Sequence, residues 1–139
     1  MAITIKGEDP RGPASLIGKV VNSQTRQAYK REYPFCEFCK LEGYYNTKHI
    51  DTHHIIPGLG RTDEWWNYLS ACRFKHHNQC TTHINGRKAV AMNFLAFAYK
   101  FVKGEITEAK LIEIGQHEYV MPLVPEMRVI YNNAYGIKS

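Results

Sequence analysis

The sequence predicts a single-domain α+β protein in which helices flank a small metal-binding core of short strands. The chain has 139 residues, of which 44% are hydrophobic, enough for one core. β-Branched residues concentrate in 48–56, as in a strand, whereas 16–33 and 87–103 carry apolar residues at helical spacing. All four cysteines and six of the seven histidines lie between Cys36 and His83.

Composition narrows the class of protein. The net charge of +5 makes a polyanionic partner a reasonable expectation. No early apolar run resembles a signal peptide. The longest apolar stretch, 89–102, is interrupted by Asn93 and Lys100 and is too short to span a bilayer. We therefore expect a soluble intracellular protein with no membrane partner, whose cysteines are thiols or metal ligands rather than disulfides.

The first segment, 1–34, is predicted to be a basic N-terminal arm and helix. Two prolines and two glycines within 1–13 indicate irregular structure. Ser15 is a candidate helix N-cap, apolar residues recur at helical spacing over 16–33, and Pro34 ends the run.

The second segment, 35–85, is predicted to hold the metal-binding core, because it contains both the strand patterns and the clustered cysteines and histidines. The elements expected in order are a Cys-x-x-Cys knuckle within 35–41, a strand over 48–56, a glycine-rich turn over 57–61, a second strand over 66–71 and a helix from Lys75 that breaks at Asn85-Gly86.

The third segment, 86–139, is predicted to be a helical C-terminal extension and tail. Its strongest signal is a helix over 87–103, whose apolar stripe should be buried, and a second helix is expected over 106–115. Two later prolines predict an extended tail. The stripe consists of Val90, Phe94, Phe97 and Phe101, and the prolines are Pro122 and Pro125.

The cysteine spacing predicts a zinc site. Cys36-x-x-Cys39 is the half-site of a zinc knuckle, in which a tight turn aims both sulfurs at one ion. Redox motifs share this spacing, but no βαβ pattern surrounds it here, which favours a metal. Cys72 is the third candidate ligand. The fourth is His76, His77 or Cys80.

One zinc site leaves several histidines unexplained. His53 and His54 are adjacent, and at least one of His76 and His77 remains over. Any single histidine is often an ordinary core or surface residue. Four of them beside a zinc motif favour a second metal site with different chemistry.

The stretch HHIIPGLGRTDEWWNYLSACRFKHH, at 53–77, resembles the HNH nuclease family of the ββα-metal superfamily. The likeness extends from Cys36 to about His83, roughly a third of the chain. It implies a small ββα-metal core with a structural zinc knuckle, flanked by additional helices. The matching residues are His53-His54, Ile55-Ile56-Pro57, Gly58-Leu59-Gly60, Asn67, Cys72 and either His76 or His77.

The resemblance also implies a function and residue roles. The protein would be a metal-dependent DNA endonuclease or nickase that hydrolyses phosphodiester bonds. His54 would be the general base, a task that suits an imidazole because its pKa lies near physiological pH. His53 would bind the catalytic cation, which is Mg²⁺, Mn²⁺ or another transition metal, and Asn67 would hold the loop that orients the base.

The sequence departs from the family pattern at Lys75, where zinc-containing members carry a second cysteine. Two assignments follow. Either His76 completes the zinc site and His77 binds the catalytic ion, or His76 binds the catalytic ion and His77 or Cys80 completes the zinc site. We prefer the first, because neighbours on a helix diverge by about 100° and can therefore face different ions.

Basic residues supply candidate DNA contacts, although they can equally form an ordinary solvated surface. The alternative function is a non-catalytic, zinc-stabilised nucleic-acid-binding module, which has no use for His54. A purely structural zinc domain is a third reading. The candidate DNA-binding residues are Arg26, Lys30, Arg31 and Arg61.

Overall fold

The computed structural model describes residues 18–57, 62–80 and 86–137, with side chains from Thr25 onward. The predicted irregular arm, the Ser15 cap, Arg61 and most of the glycine-rich turn lie outside the described residues. Within these ranges the chain is an α+β protein with one two-stranded sheet and several helices, as predicted. No helix in them has the length and apolar character needed to cross a membrane.

The elements follow the predicted order closely until the C-terminal segment. In chain order they are α1 (Gly18–Glu32), α2 (Glu37–Leu41), β1 (Ile50–His54), a 3-10 turn (Trp65–Asn67), β2 (Tyr68–Cys72), a π-helical segment (Arg73–His77), α3 (Arg87–Val102), α4 (Glu108–Glu113), α5 (His117–Val120), a 3-10 turn (Met121–Leu123) and α6 (Val124–Ala134).

The sheet pairs β1 with β2 in antiparallel register, with His53 opposite Leu69 and His54 opposite Tyr68. Both strands are shorter than the sequence pattern suggests. β1 begins only at Ile50 because His49 has a positive φ of 53°, which an extended strand cannot accommodate. The residues before β2 form the 3-10 turn instead. The sheet is therefore short, and the candidate site residues predicted from the sequence lie at its two ends.

The Cys-x-x-Cys knuckle forms the first turn of α2. Cys36 is the N-cap, and its Sγ accepts a hydrogen bond from the backbone N–H of Cys39 at 3.3 Å. A cap residue and the residue three positions later lie on the same side of a helix start, so both sulfurs face one point. α2 packs against β2, which brings this pair of sulfurs towards Cys72.

The prediction of an extended C-terminal tail is wrong. Pro122 and Pro125 each occupy the first turn of a helix, where a missing N–H loses no intrahelical bond. α6, which begins at Val124, packs against α3 and buries Val124 and Met127. The C-terminal segment therefore adds a helical layer to the core.

The buried face of α3 differs from the predicted apolar stripe. Phe97 is buried, and Phe94 and Phe101 are only partly buried against the core. Val90 is 44% exposed, contrary to the prediction. The buried surface of α3 is shifted around the helix from the predicted stripe. It includes two polar side chains, Asn93 and Lys100, which contact His53 and Glu105. The buried residues of α3 are Ala89, Asn93, Ala96, Phe97, Ala98, Tyr99 and Lys100.

A buried polar cluster ties α1, α2, α3 and β2 together around Glu37, which is 0% exposed. Its carboxylate accepts hydrogen bonds from the Tyr29 hydroxyl at 2.5 Å and the Ser70 N–H at 2.9 Å. The Lys103 ammonium pairs with it at 2.5 Å, and the Tyr99 hydroxyl also donates to it. The site core and the C-terminal helices are thus joined by ionic contacts as well as by apolar packing.

Glu105 completes this cluster. It lies 2.5 Å from the buried Lys100 ammonium and 3.2 Å from that of Lys103, and it accepts a hydrogen bond from Tyr33 at 2.7 Å. Burial alone would raise the pKa of Glu105, but the two ammonium groups lower it to about 2. The carboxylate is therefore ionised throughout the physiological range.

We expect Glu105→Gln to lower the free energy of unfolding by about 3 kcal/mol or more, because it removes the carboxylate that pairs with the buried Lys100 ammonium and one of the two that pair with Lys103. Urea denaturation at neutral pH measures this. Glu113→Gln is the matched control, since Glu113 is 67% exposed and forms a surface pair with Lys110. The control should change stability by about 0.5 kcal/mol or less. Equal stability of the two variants would mean that the buried pairs contribute nothing.

Candidate functional site

Three cysteines and one histidine form a buried cluster. The Sγ atoms of Cys36, Cys39 and Cys72 and a ring nitrogen of His76 all lie within 4.8 Å of one another. His76 Nδ1 is 3.3 Å from the sulfurs of Cys36 and Cys72 and 3.5 Å from that of Cys39. Three sulfurs and one imidazole nitrogen are the donor set of a structural zinc site. The four residues can therefore hold a zinc ion.

Contacts around the cluster have the pattern expected of zinc ligands. His76 turns its other nitrogen, Nε2, to the Glu42 carboxylate at 2.9 Å. Metal-binding imidazoles commonly make such a bond, which fixes the tautomer and the ring orientation. The Asn46 amide donates to Cys39 Sγ at 3.6 Å, and a backbone N–H donates to Cys36 Sγ. The zinc ion that this donor set suits would find its ligands already oriented.

The structure places His76 at the three sulfurs, which is the arrangement that our preferred assignment requires. Cys72 ends β2, and His76 lies four residues later, in the π-helical segment. The neighbouring His77 points elsewhere, with Nδ1 3.0 Å from Asp51. Cys80 is buried but lies outside the cluster, and burial raises the pKa of its thiol to about 12.

A pair of imidazoles lies beside this cluster. The rings of His53 and His77 meet edge to face, with centroids 5.1 Å apart. His53 Nε2 is 3.1 Å from Asn93 Oδ1, and the Asn93 amide nitrogen donates to the Cys80 carbonyl, which fixes the amide orientation. His53 therefore carries its proton on Nε2. Burial lowers its pKa to about 4, so the ring is neutral at physiological pH.

Each imidazole of the pair is held by a hydrogen-bonding partner, as metal-binding imidazoles commonly are, but the pair offers only two ligands for a cation. Asn93 holds one nitrogen of His53, and Asp51 holds one nitrogen of His77. The hydrogen bonds from Arg73 keep the pKa of Asp51 below its usual value. In residues 25–57, 62–80 and 86–137, the cysteine cluster is the one group of three or more potential ligands. A cation bound by the pair would leave coordination positions for solvent or phosphate oxygens.

His54 follows His53 on β1 and belongs to a separate set of contacts. Its Nε2 lies 2.9 Å from Asp63 Oδ1, and its ring stands edge-on to Tyr68. The Tyr68 hydroxyl donates to the same carboxylate oxygen at 2.8 Å. Positive charge on His54 contributes to lowering the pKa of His53, so the two sets of contacts interact electrostatically. Adjacent strand residues face opposite ways, which explains how neighbouring imidazoles acquire different partners.

Asn67 closes the loop between the two strands. It is fully buried, and its Oδ1 accepts a hydrogen bond from the Ile56 N–H at 2.7 Å. Its amide nitrogen donates to the carbonyls of Ile56 at 3.2 Å and Thr62 at 3.1 Å. Both sides of the glycine-rich turn are thus held by one side chain. The Asn67 side chain thus connects the residues on either side of the turn to the start of β2.

A cleft of about 490 Å³ runs between α1 and β1 beside the imidazole pair. Arg26 and Lys30, one helical turn apart on α1, lie on its wall. Arg31 is exposed but does not line the cleft, and Arg61 lies outside the described residues. The remaining lining residues are Gln27, Ile50, Asp51, Thr52 and His77.

Four residues at these sites were not predicted from the sequence. The sequence could have indicated Asp51, because it precedes His53 by two residues on a strand and so lies on the same face. It could also have indicated Asn93, which is a polar residue within an apolar helix. Asp63 and Glu42 lie in loops, where sequence spacing says little about contacts.

The sequence matches no protein-family model, and no curated protein or solved structure matches it either. The likeness to HNH nucleases therefore rests on the motif residues alone.

Proposed function

We propose that this protein is a metal-dependent DNA endonuclease or nickase with a ββα-metal core of the HNH type. The observation that carries the proposal is the arrangement at the end of β1. There the His54–Asp63 pair lies beside the His53–His77 pair, and Asn67 holds the connecting loop. A binding module or a structural zinc domain needs none of these imidazole contacts.

The chain order supports such a core. β1 and β2 pair directly, and β2 leads into the π-helical segment that carries both His76 and His77. A zinc ion at the cysteine cluster would join α2, β2 and this segment at one point. His77 would then be held in place by its neighbour, which suits a residue required to stay opposite His53.

The residues have separate tasks in this proposal. His54 takes a proton from the attacking water, as a neutral imidazole can near physiological pH. His53 and His77 hold the catalytic cation, each with its other ring nitrogen bonded to Asn93 or Asp51. When bound, that cation supplies positive charge to the phosphate and to the departing 3′ oxygen. Asn67 holds Ile56, which lies close to the base, and Thr62, which precedes Asp63, in place.

The cleft offers a path for the DNA backbone. Arg26 and Lys30 project from α1 towards it, and their charges suit phosphate groups. Asp51, the acidic residue among its lining side chains, already bonds to Arg73 and His77, so its negative charge is offset. Binding through phosphates predicts an affinity that falls steeply as salt increases.

We expect cleavage of supercoiled plasmid in the presence of Mn²⁺, Co²⁺ or Ni²⁺, weaker cleavage with Mg²⁺ and none in EDTA. Imidazole nitrogens suit transition metals, whereas Mg²⁺ prefers oxygen ligands. Gel electrophoresis of nicked and linear products measures the rates, and zinc content is followed to confirm that the cysteine cluster stays loaded.

The control is the double variant His53→Ala/His77→Ala, purified in parallel to exclude a contaminating nuclease. It should bind DNA but not cleave it. A wild-type protein that binds DNA but fails to cleave it with any of these divalent ions would contradict the proposal and favour the non-catalytic binding module. Stronger cleavage with Mg²⁺ than with Mn²⁺ would argue against the imidazole pair as the metal site.

A further inference from the structure

We propose that Asp63 is a positioning residue for His54 and that it makes Nδ1 the basic nitrogen of that imidazole. The inference rests on the proposed function, in which His54 is the general base. Asp63 lies outside the motif residues on which the likeness to HNH nucleases depends, and its role follows from its contacts.

The pair is close and well enclosed. His54 Nε2 lies 2.9 Å from Asp63 Oδ1, and the two side chains are 13% and 12% exposed. Burial alone would raise the pKa of Asp63, but hydrogen bonds from His54 and Tyr68, and nearby Arg26, keep it below its usual value. Asp63 is therefore an ionised acceptor. A carboxylate can only accept, so the proton in this contact belongs to Nε2.

This tautomer decides which nitrogen can act. A neutral imidazole has one N–H, and with the proton on Nε2 the lone pair is on Nδ1. An O–H bond of water breaks as its proton moves to Nδ1, and the oxygen forms a bond to phosphorus while the P–O3′ bond breaks. The product is a 5′-phosphate, a 3′ hydroxyl protonated from solvent and an imidazolium that Asp63 stabilises. Later loss of the proton to solvent restores the base.

The contacts of Asp63 link the base to two other parts of the molecule. The carbonyl of the preceding residue, Thr62, accepts from Asn67, so Asn67 acts on His54 through the position of Asp63. On the opposite side, an Arg26 guanidinium nitrogen lies 3.6 Å from the same carboxylate oxygen. The α1 helix, which supplies proposed phosphate contacts, is therefore connected to the base by one residue.

Asp63→Asn is the direct test, because it keeps the shape and removes the charge. The amide can offer an N–H to Nε2 and so favour the tautomer in which Nδ1 is blocked. We expect kcat at saturating metal to fall by about 10²–10⁴, the upper end being the effect of the equivalent change in a serine-protease triad. KM for DNA and the apparent metal affinity should stay within about twofold, because Asp63 contacts neither in this scheme. Asp63→Glu should recover part of kcat.

Two controls separate this role from a structural one. Asp63→Asn must retain its zinc and its circular dichroism spectrum. Asp51→Asn, a similar change at the carboxylate beside His77, should instead weaken the apparent metal affinity and regain activity at higher metal concentration. If Asp63→Asn shows the same metal-dependent recovery, Asp63 acts on the metal site and the inference is wrong.

A spectroscopic readout tests the inference without relying on activity. In ¹⁵N-labelled protein, we expect the His54 ring to show the Nε2–H tautomer in the wild type and a shift towards Nδ1–H in Asp63→Asn. An Nδ1–H tautomer in the wild type overturns the inference, even in an active nuclease. A wild type that cleaves while Asp63→Asn keeps full kcat overturns it too. A wild type that cleaves nothing overturns the proposed function and, with it, the base role.

Discussion

His76→Ala is expected to release the zinc ion and to unfold most of the chain. His76 lies within 3.5 Å of all three cysteine sulfurs and is completely buried. Structural zinc sites contribute about 10–16 kcal/mol in small zinc-finger peptides, comparable to the whole stability of an ordinary domain. Zinc content measured after purification without added metal, together with thermal unfolding followed by circular dichroism, provides the test.

His77→Ala and Cys80→Ala are matched controls for this result. His77 is the next residue along the chain, and its imidazole faces Asp51 instead of the sulfurs. Cys80 is a buried thiol outside the cluster. Both variants should keep their zinc and fold. Loss of zinc from His77→Ala but not from His76→Ala would support the rival ligand assignment, and retention of zinc by His76→Ala would remove that residue from the site.

His54→Ala is expected to lower the cleavage rate by about 10²–10⁴, the usual contribution of a positioned general base. The variant should still fold, keep its zinc, bind DNA and bind the catalytic cation, because His54 contacts Asp63 and Tyr68 and not the other imidazoles. Single-turnover cleavage at saturating metal measures the chemical step directly. A His54→Ala variant as active as wild type would reject His54 as the base, even for a proven nuclease.

The neighbouring substitution should fail in a different way. His53→Ala removes one of the two imidazoles that face each other, so it should weaken the apparent affinity for the divalent cation. Raising the metal concentration should then recover part of the activity, which it cannot do for His54→Ala. If both variants respond to metal in the same way, the two adjacent histidines do not have separate roles.

Much of the site could be predicted because its residues are close together along the chain. A Cys-x-x-Cys pair needs only one tight turn to bring two sulfurs together. Adjacent histidines on a strand must face opposite sides. β1 and β2 are consecutive strands, so their pairing needs no intervening element other than the segment 55–67. These short-range constraints are set by backbone geometry, which the residue pattern reveals.

Predictions failed where packing, and not local pattern, determined the outcome. Prolines that indicated an extended tail instead begin helical turns, because α6 gains stability by burying Val124 and Met127 against α3. The inward face of α3 includes Asn93 and Lys100, because the first contacts His53 and the second contacts Glu105. A polar residue within an apolar helix can be noticed in the sequence, but the buried partner that keeps it inside cannot.

The sequence by itself indicated the class of fold, three cysteines that can hold a zinc ion, and four candidate histidines, which are His53, His54, His76 and His77. Only the tertiary structure decided that His76 meets the sulfurs, that His77 meets His53, and that Asp63 pairs with His54. The reason is physical. Residue types and short spacings restrict which chemistry is available, whereas the direction of each ring depends on partners supplied by distant elements. Asn93, forty residues from His53, is the clearest case.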